Sequence, residues 1–192
     1  MAYETAFFDV GYAREATALL SAAQSLAVVG CDPDLVIEEI LNLDPLSLGG
    51  SFGKPYVIGS LPELLLEAES LKGVGLARYL STRMCNYSVY DPFRAILIAL
   101  AVSRAHFDDP WLALQVAVNQ WDLGQNGAPI RFADIDCYAS ITGSLLGAFC
   151  GSCSLPVAQL EEVLSSNRQI YNIDLQMTAK RLIDLILELS ED

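Results

Sequence analysis

The sequence predicts an all-α, compact multi-helix domain. Apolar residues make up 53% of its 192 residues and charged residues only 18%, which favours a large buried core over an extended disordered chain. Apolar side chains recur at the helical spacing of three and four residues, and no segment sustains the alternation typical of a strand. We therefore expect a single domain over residues 1–192 with essentially no sheet.

Aspartate followed by proline marks the start of three predicted helices, at Asp32, Asp91 and Asp109. Aspartate caps the first backbone N–H groups of a helix, and proline fits its first turn. Helices are predicted over residues 5–29, 32–43, 61–84, 91–106, 109–118, 136–150, 156–165 and 174–189. The third is expected to be interrupted near Gly73 and Gly75, and residues 44–60 and 120–133 are expected to form long loops.

The helix that begins at Asp91 is predicted to lie at the centre of the core. It is apolar on nearly all sides over residues 95–102, as expected of a helix surrounded by protein. His106, the one histidine of the chain, falls at its C-terminal end, where the helix dipole favours a cation. We assign His106 a structural or surface role.

The charge balance excludes one class of partner. Eleven basic residues against twenty-four acidic ones leave a net charge of −13, whereas nucleic-acid binding needs clustered lysine and arginine.

No apolar run approaches the roughly 20 residues of a membrane-spanning helix, and the first residues lack the basic segment of a secretory signal. We expect a soluble, cytoplasmic protein whose high apolar content favours a homo-oligomer.

Two carboxylates, Asp134 and Asp136, lie where the second long loop enters a helix. At this spacing they can converge on one point, and the helix N-terminus stabilises their negative charge. Carboxylate oxygens suit Mg²⁺ or Mn²⁺. The alternative from the residues alone is that the pair is an ordinary helix cap. In the helix that follows, Gly143, Gly147 and Gly151 recur every four residues, which predicts a face for close helix packing.

This segment resembles the C-terminal signature of the ADP-ribosylglycohydrolase family, D-x-D-[TSC] followed by G-[AS]-[LI]-x-G-A, a further glycine and a proline. The preceding stretch DDPWLALQVAVN is also similar to that family, so the resemblance covers residues 92–156. The matching residues are Asp134, Asp136, Cys137, Gly143, Ser144, Leu145, Gly147, Ala148, Gly151 and Pro156.

The resemblance implies an all-α fold with a two-metal centre, usually magnesium, that removes ADP-ribose from modified proteins or small molecules. It assigns Asp134 and Asp136 as metal ligands. The residue that follows the pair often contributes an oxygen in the family, but here it is Cys137, whose thiol is a poor magnesium ligand. Three residues are candidates for outer contacts to the metal or for contacts to an ADP-ribose-type substrate, namely Cys137 and the loop residues Asp122 and Asn126.

Two of the family's metal-binding segments, G-x-x-x-G-D-[AS] and T-D-D-[TS], are absent from the chain. We therefore predict weak Mg²⁺ or Mn²⁺ binding and no hydrolysis by the isolated chain. One hypothesis is a hydrolase completed by a complementary polypeptide. The others are a catalytically degenerate family member that acts as a binding or interaction protein, and an unrelated helical scaffold.

Overall fold

Helices make up most of the described chain, which comprises residues 12–43, 61–124 and 126–190 of the computed structural model. The all-α prediction is thereby confirmed at the level of class. The predicted loop over residues 44–60 lies outside the described residues, as do residues 5–11 of the first predicted helix. The helices are α1 (Tyr12–Val28), α2 (Pro33–Leu43), α3 (Leu61–Ala68), α4 (Gly73–Arg83), α5 (Pro92–Ala105), α6 (Pro110–Val118), α7 (Ile135–Cys150), α8 (Val157–Ser166) and α9 (Leu175–Ser190).

The predicted aspartate caps are present at all three positions. Each carboxylate accepts a hydrogen bond from a backbone N–H of the first helical turn, which satisfies a donor that has no partner within the helix. The donors are Leu35 N to Asp32 at 2.9 Å, Phe93 N to Asp91 at 2.9 Å and Leu112 N to Asp109 at 3.0 Å.

Helix α5 is the centre of the core, as predicted. Every residue over 95–102 is buried, and the most accessible of them, Ala95, is only 5% exposed. Helices α1, α2, α3, α6 and α7 all pack against α5, which explains why it is apolar on all sides. Among the described residues, no helix has the length and apolar character needed to cross a membrane.

The chain divides into two units, Met1–Gly151 and Ser152–Asp192. The core described above belongs to the first unit. In the second unit, helices α8 and α9 have many exposed apolar side chains and no buried residue among those described. The organisation as one domain stays a prediction.

The sheet of the described residues is limited to one short hairpin, so the prediction that is wrong in part is the loop over residues 120–133. Residues 120–133 were predicted to form a loop, but they contain an antiparallel hairpin of β1 (Trp121–Leu123) and β2 (Pro129–Phe132). A bulge between Asp122 and Leu123 shifts the register. The strands have only three and four residues and every residue of β2 is exposed, so their apolar alternation is too short to predict a strand.

The helical break predicted near Gly73 and Gly75 lies slightly earlier, over residues 69–72. Lys72 is extended and precedes Gly73, whose φ of +51° opens helix α4. Such a positive φ favours glycine. Glycine therefore permits the turn that starts α4 instead of interrupting a helix.

His106 is buried, and its imidazole Nε2 accepts a hydrogen bond from the Gly73 backbone N–H at 3.1 Å. Its structural role is confirmed. The expected cationic form of the imidazole is not confirmed, because burial lowers the pKa of His106 and the nearby Lys72 lowers it further. Desolvation thus outweighs the favourable end of the helix dipole.

We predict that the imidazole of His106 titrates below the ordinary value of about 6.5. Because the unfolded chain then binds this proton more tightly than the folded chain does, the free energy of unfolding should fall as the pH drops below about 6.5. NMR titration of the single histidine measures the pKa directly. Lys72→Met should raise it, and His106→Asn should remove this component of the pH dependence. A midpoint at or above 6.5 would contradict the prediction.

Candidate metal-binding site

The hairpin delivers Asp134 to the start of helix α7. The Ala133 N–H donates to the Gln120 carbonyl at 3.0 Å, which closes the base of the hairpin. Asp134 follows directly in a non-helical conformation, with φ −76° and ψ 61°, and its carbonyl accepts the Tyr138 N–H at 3.0 Å. The first turn of α7 therefore begins immediately after Asp134.

Three candidate ligand residues meet at this corner. The carboxylate oxygens of Asp134 and Asp136 and the sulfur of Cys137 all lie within 4.8 Å of one another. Asp134 is half-buried, whereas Asp136 and Cys137 are exposed. Within the described ranges, no lysine or arginine forms an ion pair with either carboxylate. Two unit charges at this separation repel by about 1 kcal/mol in bulk water.

The Asp134 side chain is not a helix cap. It occupies the N-cap position of α7, yet its carboxylate accepts no hydrogen bond from a backbone N–H of the first turn. The carboxylates of Asp32, Asp91 and Asp109 all make such a bond in this chain. The capping interpretation of the pair is therefore wrong for Asp134.

The thiol of Cys137 is held in its protonated form. A hydrogen bond with Asp134 raises the pKa of Cys137, and burial and the charges of both aspartates act in the same direction. A protonated thiol is a poor metal ligand and a poor nucleophile. A hard cation such as Mg²⁺ would bind the two carboxylates in preference to the sulfur, because it prefers oxygen ligands.

Behind the corner, Tyr138 anchors the first turn of α7 to the core. Its buried hydroxyl donates to the Val89 carbonyl at 2.8 Å, and the guanidinium of Arg94 lies over its ring, 5.9 Å from the centroid. Burial raises the pKa of Tyr138 to about 12, opposed by Arg94 and reinforced by carboxylates that include Asp134 and Asp122. Neither Tyr138 nor Arg94 was singled out from the sequence, because tyrosine at helical spacing and an isolated arginine carry no recognisable signal.

The two loop candidates, Asp122 and Asn126, are engaged within the hairpin. Asp122 forms an ion pair with Arg131 on the facing strand, with Oδ2 and Nε 3.1 Å apart. The Asn126 Oδ1 accepts from the Ala128 N–H at 3.1 Å and so shapes the turn. Contact of Asp122 and Asn126 with a metal or a substrate stays a prediction. Such contact would compete with the ion pair to Arg131 and with the hydrogen bond from Ala128.

The repeated glycines of α7 have different surroundings. A Cβ built on Gly143 would lie 3.5 Å from a methyl group of Leu114 in α6, which is an ordinary van der Waals distance, and one on Gly147 would meet nothing within 4 Å. Close helix packing therefore does not require glycine at these two positions, although Gly143 does face α6. Gly151 ends the helix with a φ of +71°, which does favour glycine.

We predict that Asp134→Ala destabilises the fold much less than Asp32→Ala. Loss of the hydrogen bond between Asp32 and Leu35 should cost about 1 kcal/mol, whereas Asp134 has no capping bond to lose and its removal relieves repulsion with Asp136. Urea unfolding of both variants measures the difference. Equal losses of unfolding free energy would show that the Asp134 carboxylate does cap α7.

Comparison of the chain with known proteins found no matching family model, no matching curated protein and no matching solved structure.

Proposed function

We propose that the chain is an ADP-ribosylglycohydrolase-like protein in which Asp134 and Asp136 hold a weakly bound Mg²⁺ or Mn²⁺. Hydrolysis of ADP-ribosyl linkages then requires further ligands from a complementary polypeptide or from a second copy of the chain. The proposal joins the motif resemblance over residues 92–156 to the geometry at the start of α7.

The observation that carries the proposal is the pair of carboxylates held together without a counter-charge. Asp134 and Asp136 have oxygens within 4.8 Å of each other, and Asp134 makes no capping bond that would account for its position. A divalent cation would offset their mutual repulsion. The two carboxylates are hard oxygen ligands, which suit an oxygen-preferring cation such as Mg²⁺ or Mn²⁺.

The corner fits such a cation only in part. Mg²⁺ demands six oxygen ligands in octahedral geometry, and two carboxylates leave most of these to water. In the described part of the chain, no other group of three histidine, cysteine or acidic side chains has the geometry of a metal site. This shortage supports weak binding by the isolated chain and a need for ligands from outside it.

A bound divalent cation supplies Lewis-acid polarisation of a substrate oxygen and activation of water. The chain's own contribution is to orient two carboxylates on the first turn of α7, which Tyr138 holds against the Val89 carbonyl. Asp134 also keeps the Cys137 proton in place through their hydrogen bond. None of these residues is an evident general base in the isolated chain.

A second function, that of a binding or interaction protein, is favoured by the C-terminal unit. Several apolar side chains there are at least half exposed, among them Leu182, Leu185 and Leu187 of α9. Exposed apolar patches of this kind often mark sites of protein association. The same surface also suits the partner, or second copy, that the hydrolase proposal requires.

We predict that the intact chain binds Mn²⁺ weakly, and more tightly than Mg²⁺ as the usual metal series requires. The double variant Asp134→Asn, Asp136→Asn should lose this binding with little loss of stability, because removal of the two charges also removes their repulsion. Calorimetric titration of wild type and variant with Mn²⁺ measures the effect.

The matched control is the double variant Glu38→Gln, Glu39→Gln, which removes two exposed carboxylates from α2 and lowers the net negative charge equally. It should bind Mn²⁺ as wild type does. If the Asp134, Asp136 double variant and wild type bind alike, the cation is not held at this corner and the proposed function loses its basis.

We predict no release of ADP-ribose from arginine-, serine- or acetyl-linked substrates by the purified chain in Mg²⁺ or Mn²⁺. Addition of a co-purifying polypeptide that carries a T-D-D-[TS] segment should give metal-dependent release, and Asp136→Asn should abolish it. Chromatographic detection of free ADP-ribose is the readout. Metal-dependent turnover by the chain alone would show that its ligand set is already complete.

A further inference from the structure

A cavity of about 610 Å³ lies in the first unit between α4, α6 and the hairpin. This volume is within the usual range of small-molecule sites, roughly 300–1,000 Å³. Its walls are mainly apolar and include Val74 of α4, Leu112 of α6, and Trp121 and Leu123 of β1. Asp134 and Asp136 do not line it, so the cavity is separate from the candidate metal-binding site.

The charge of the lining is unusual for this chain. Acidic residues outnumber basic ones by 24 to 11 overall, yet the described lining contains no carboxylate and a single charged side chain, Arg78. The charge of the described lining is therefore positive, whereas the net charge of the whole chain is negative. An anion that would be repelled elsewhere on the surface meets only a positive charge here.

The Arg78 guanidinium also forms no hydrogen bond or ion pair with another described residue. In the described part of the first unit, the other arginines and Lys72 all have a hydrogen bond, an ion pair or another polar interaction. Arg78 is exposed, and its guanidinium has none. Its planar donor group thus remains available to a carboxylate or phosphate, which arginine can bind through two parallel hydrogen bonds.

Some of the remaining polar groups of the lining are hydrogen-bonded to other described residues, and others are not. Ser81 is fully engaged, since its hydroxyl donates to the Ala77 carbonyl and accepts from the Trp121 N–H. Gln115 lines the facing wall on α6, and its side-chain amide makes no hydrogen bond to another residue that the structure describes. Arg78 and Gln115 therefore offer polar groups on two walls, while the space between them is apolar.

We propose that this cavity binds a small organic acid, a molecule with an apolar, ring-sized body and one anionic carboxylate or phosphate group. Arg78 binds the anionic group, Gln115 hydrogen-bonds a polar substituent, and the body packs against Val74, Leu112 and Trp121. This site is independent of the proposed metal-dependent function, because it shares no ligand residue with it.

Calorimetric titration of the full chain with three probes tests the proposal. The probes are naphthalene carboxylate, naphthyl phosphate and the uncharged naphthalenemethanol, which share one apolar body and differ in the head group. At least one anion should bind about tenfold or more tightly than the alcohol, as expected for a charge-assisted pair. The comparison of carboxylate with phosphate identifies the preferred anion.

Three variants at exposed positions locate the binding. Arg78→Met should lower the affinity for the preferred anion by about tenfold and leave the affinity for the alcohol unchanged. Val74→Trp, at a residue that is 78% exposed, should fill the cavity and abolish binding of all three probes without disturbing the core. Arg181→Met, which removes an exposed positive charge from α9, should bind every probe as wild type does.

Circular dichroism and thermal unfolding verify that each variant folds. The proposal is overturned if no probe binds at millimolar concentration, if the alcohol binds as tightly as both anions, or if Val74→Trp leaves binding intact. Equal losses for Arg78→Met and Arg181→Met would also overturn it, because the anion would then respond to overall charge and not to the cavity.

Discussion

The burial of the Arg94 guanidinium is the constraint on which the first unit depends. Arg94 is completely buried on α5 and has no carboxylate partner among the described residues. An uncompensated charge in the interior costs several kcal/mol. The charge is instead satisfied by the carbonyls of Tyr87, at 2.9 Å, and Trp121, at 3.3 Å, and by the ring of Tyr138. Its Nε has no hydrogen-bond partner, so even this arrangement is incomplete and any loss of a carbonyl would be costly.

The same contacts position both candidate sites. Arg94 holds the Trp121 carbonyl, and the Ser81 hydroxyl accepts from the N–H of the same residue at 2.9 Å. Ser81 is in turn hydrogen-bonded to Gln120, which donates to the Val116 carbonyl. This buried polar network joins α4, α5 and α6 to the start of the hairpin. The hairpin then lines the cavity through Trp121 and Leu123, and its second strand leads into Asp134 at the start of α7.

The features that sequence analysis predicted well are those with local physical causes. The caps at Asp32, Asp91 and Asp109 and the burial of residues 95–102 follow from side chains within one or two turns of helix. The hairpin could not be predicted, because its strands are short and β2 is exposed. It is stabilised by contacts between its own strands, namely the ion pair of Asp122 with Arg131 and the stacking of Trp121 on Phe132, whose ring centroids are 4.2 Å apart.

The candidate sites were only partly predictable for the same reason. The proximity of Asp134 and Asp136 follows from their spacing at a helix start. Asp122 is instead engaged by Arg131, which only the hairpin register brings near, and Asn126 accepts from the Ala128 N–H within its own turn. The cavity depends on side chains of α4, α6 and the hairpin that are distant in sequence. A buried arginine satisfied by carbonyls has no sequence signature, since charged residues are ordinarily exposed.

An unpaired surface charge is weak evidence for a ligand, because exposed ion pairs contribute little to stability and many surface charges simply remain solvated. The charges at the two candidate sites differ from this ordinary case through their surroundings. Asp134 is half-buried and held near Asp136 by the start of α7, so its position is imposed by the backbone despite the repulsion. Arg78 is exposed, but it borders a largely apolar cavity from which carboxylates are absent in an otherwise acidic chain. In both places the fold maintains a local charge that no ion pair among the described residues neutralises, positive at the cavity and negative at the first turn of α7. Ligands of opposite sign are therefore expected at two sites that the same hairpin helps to position.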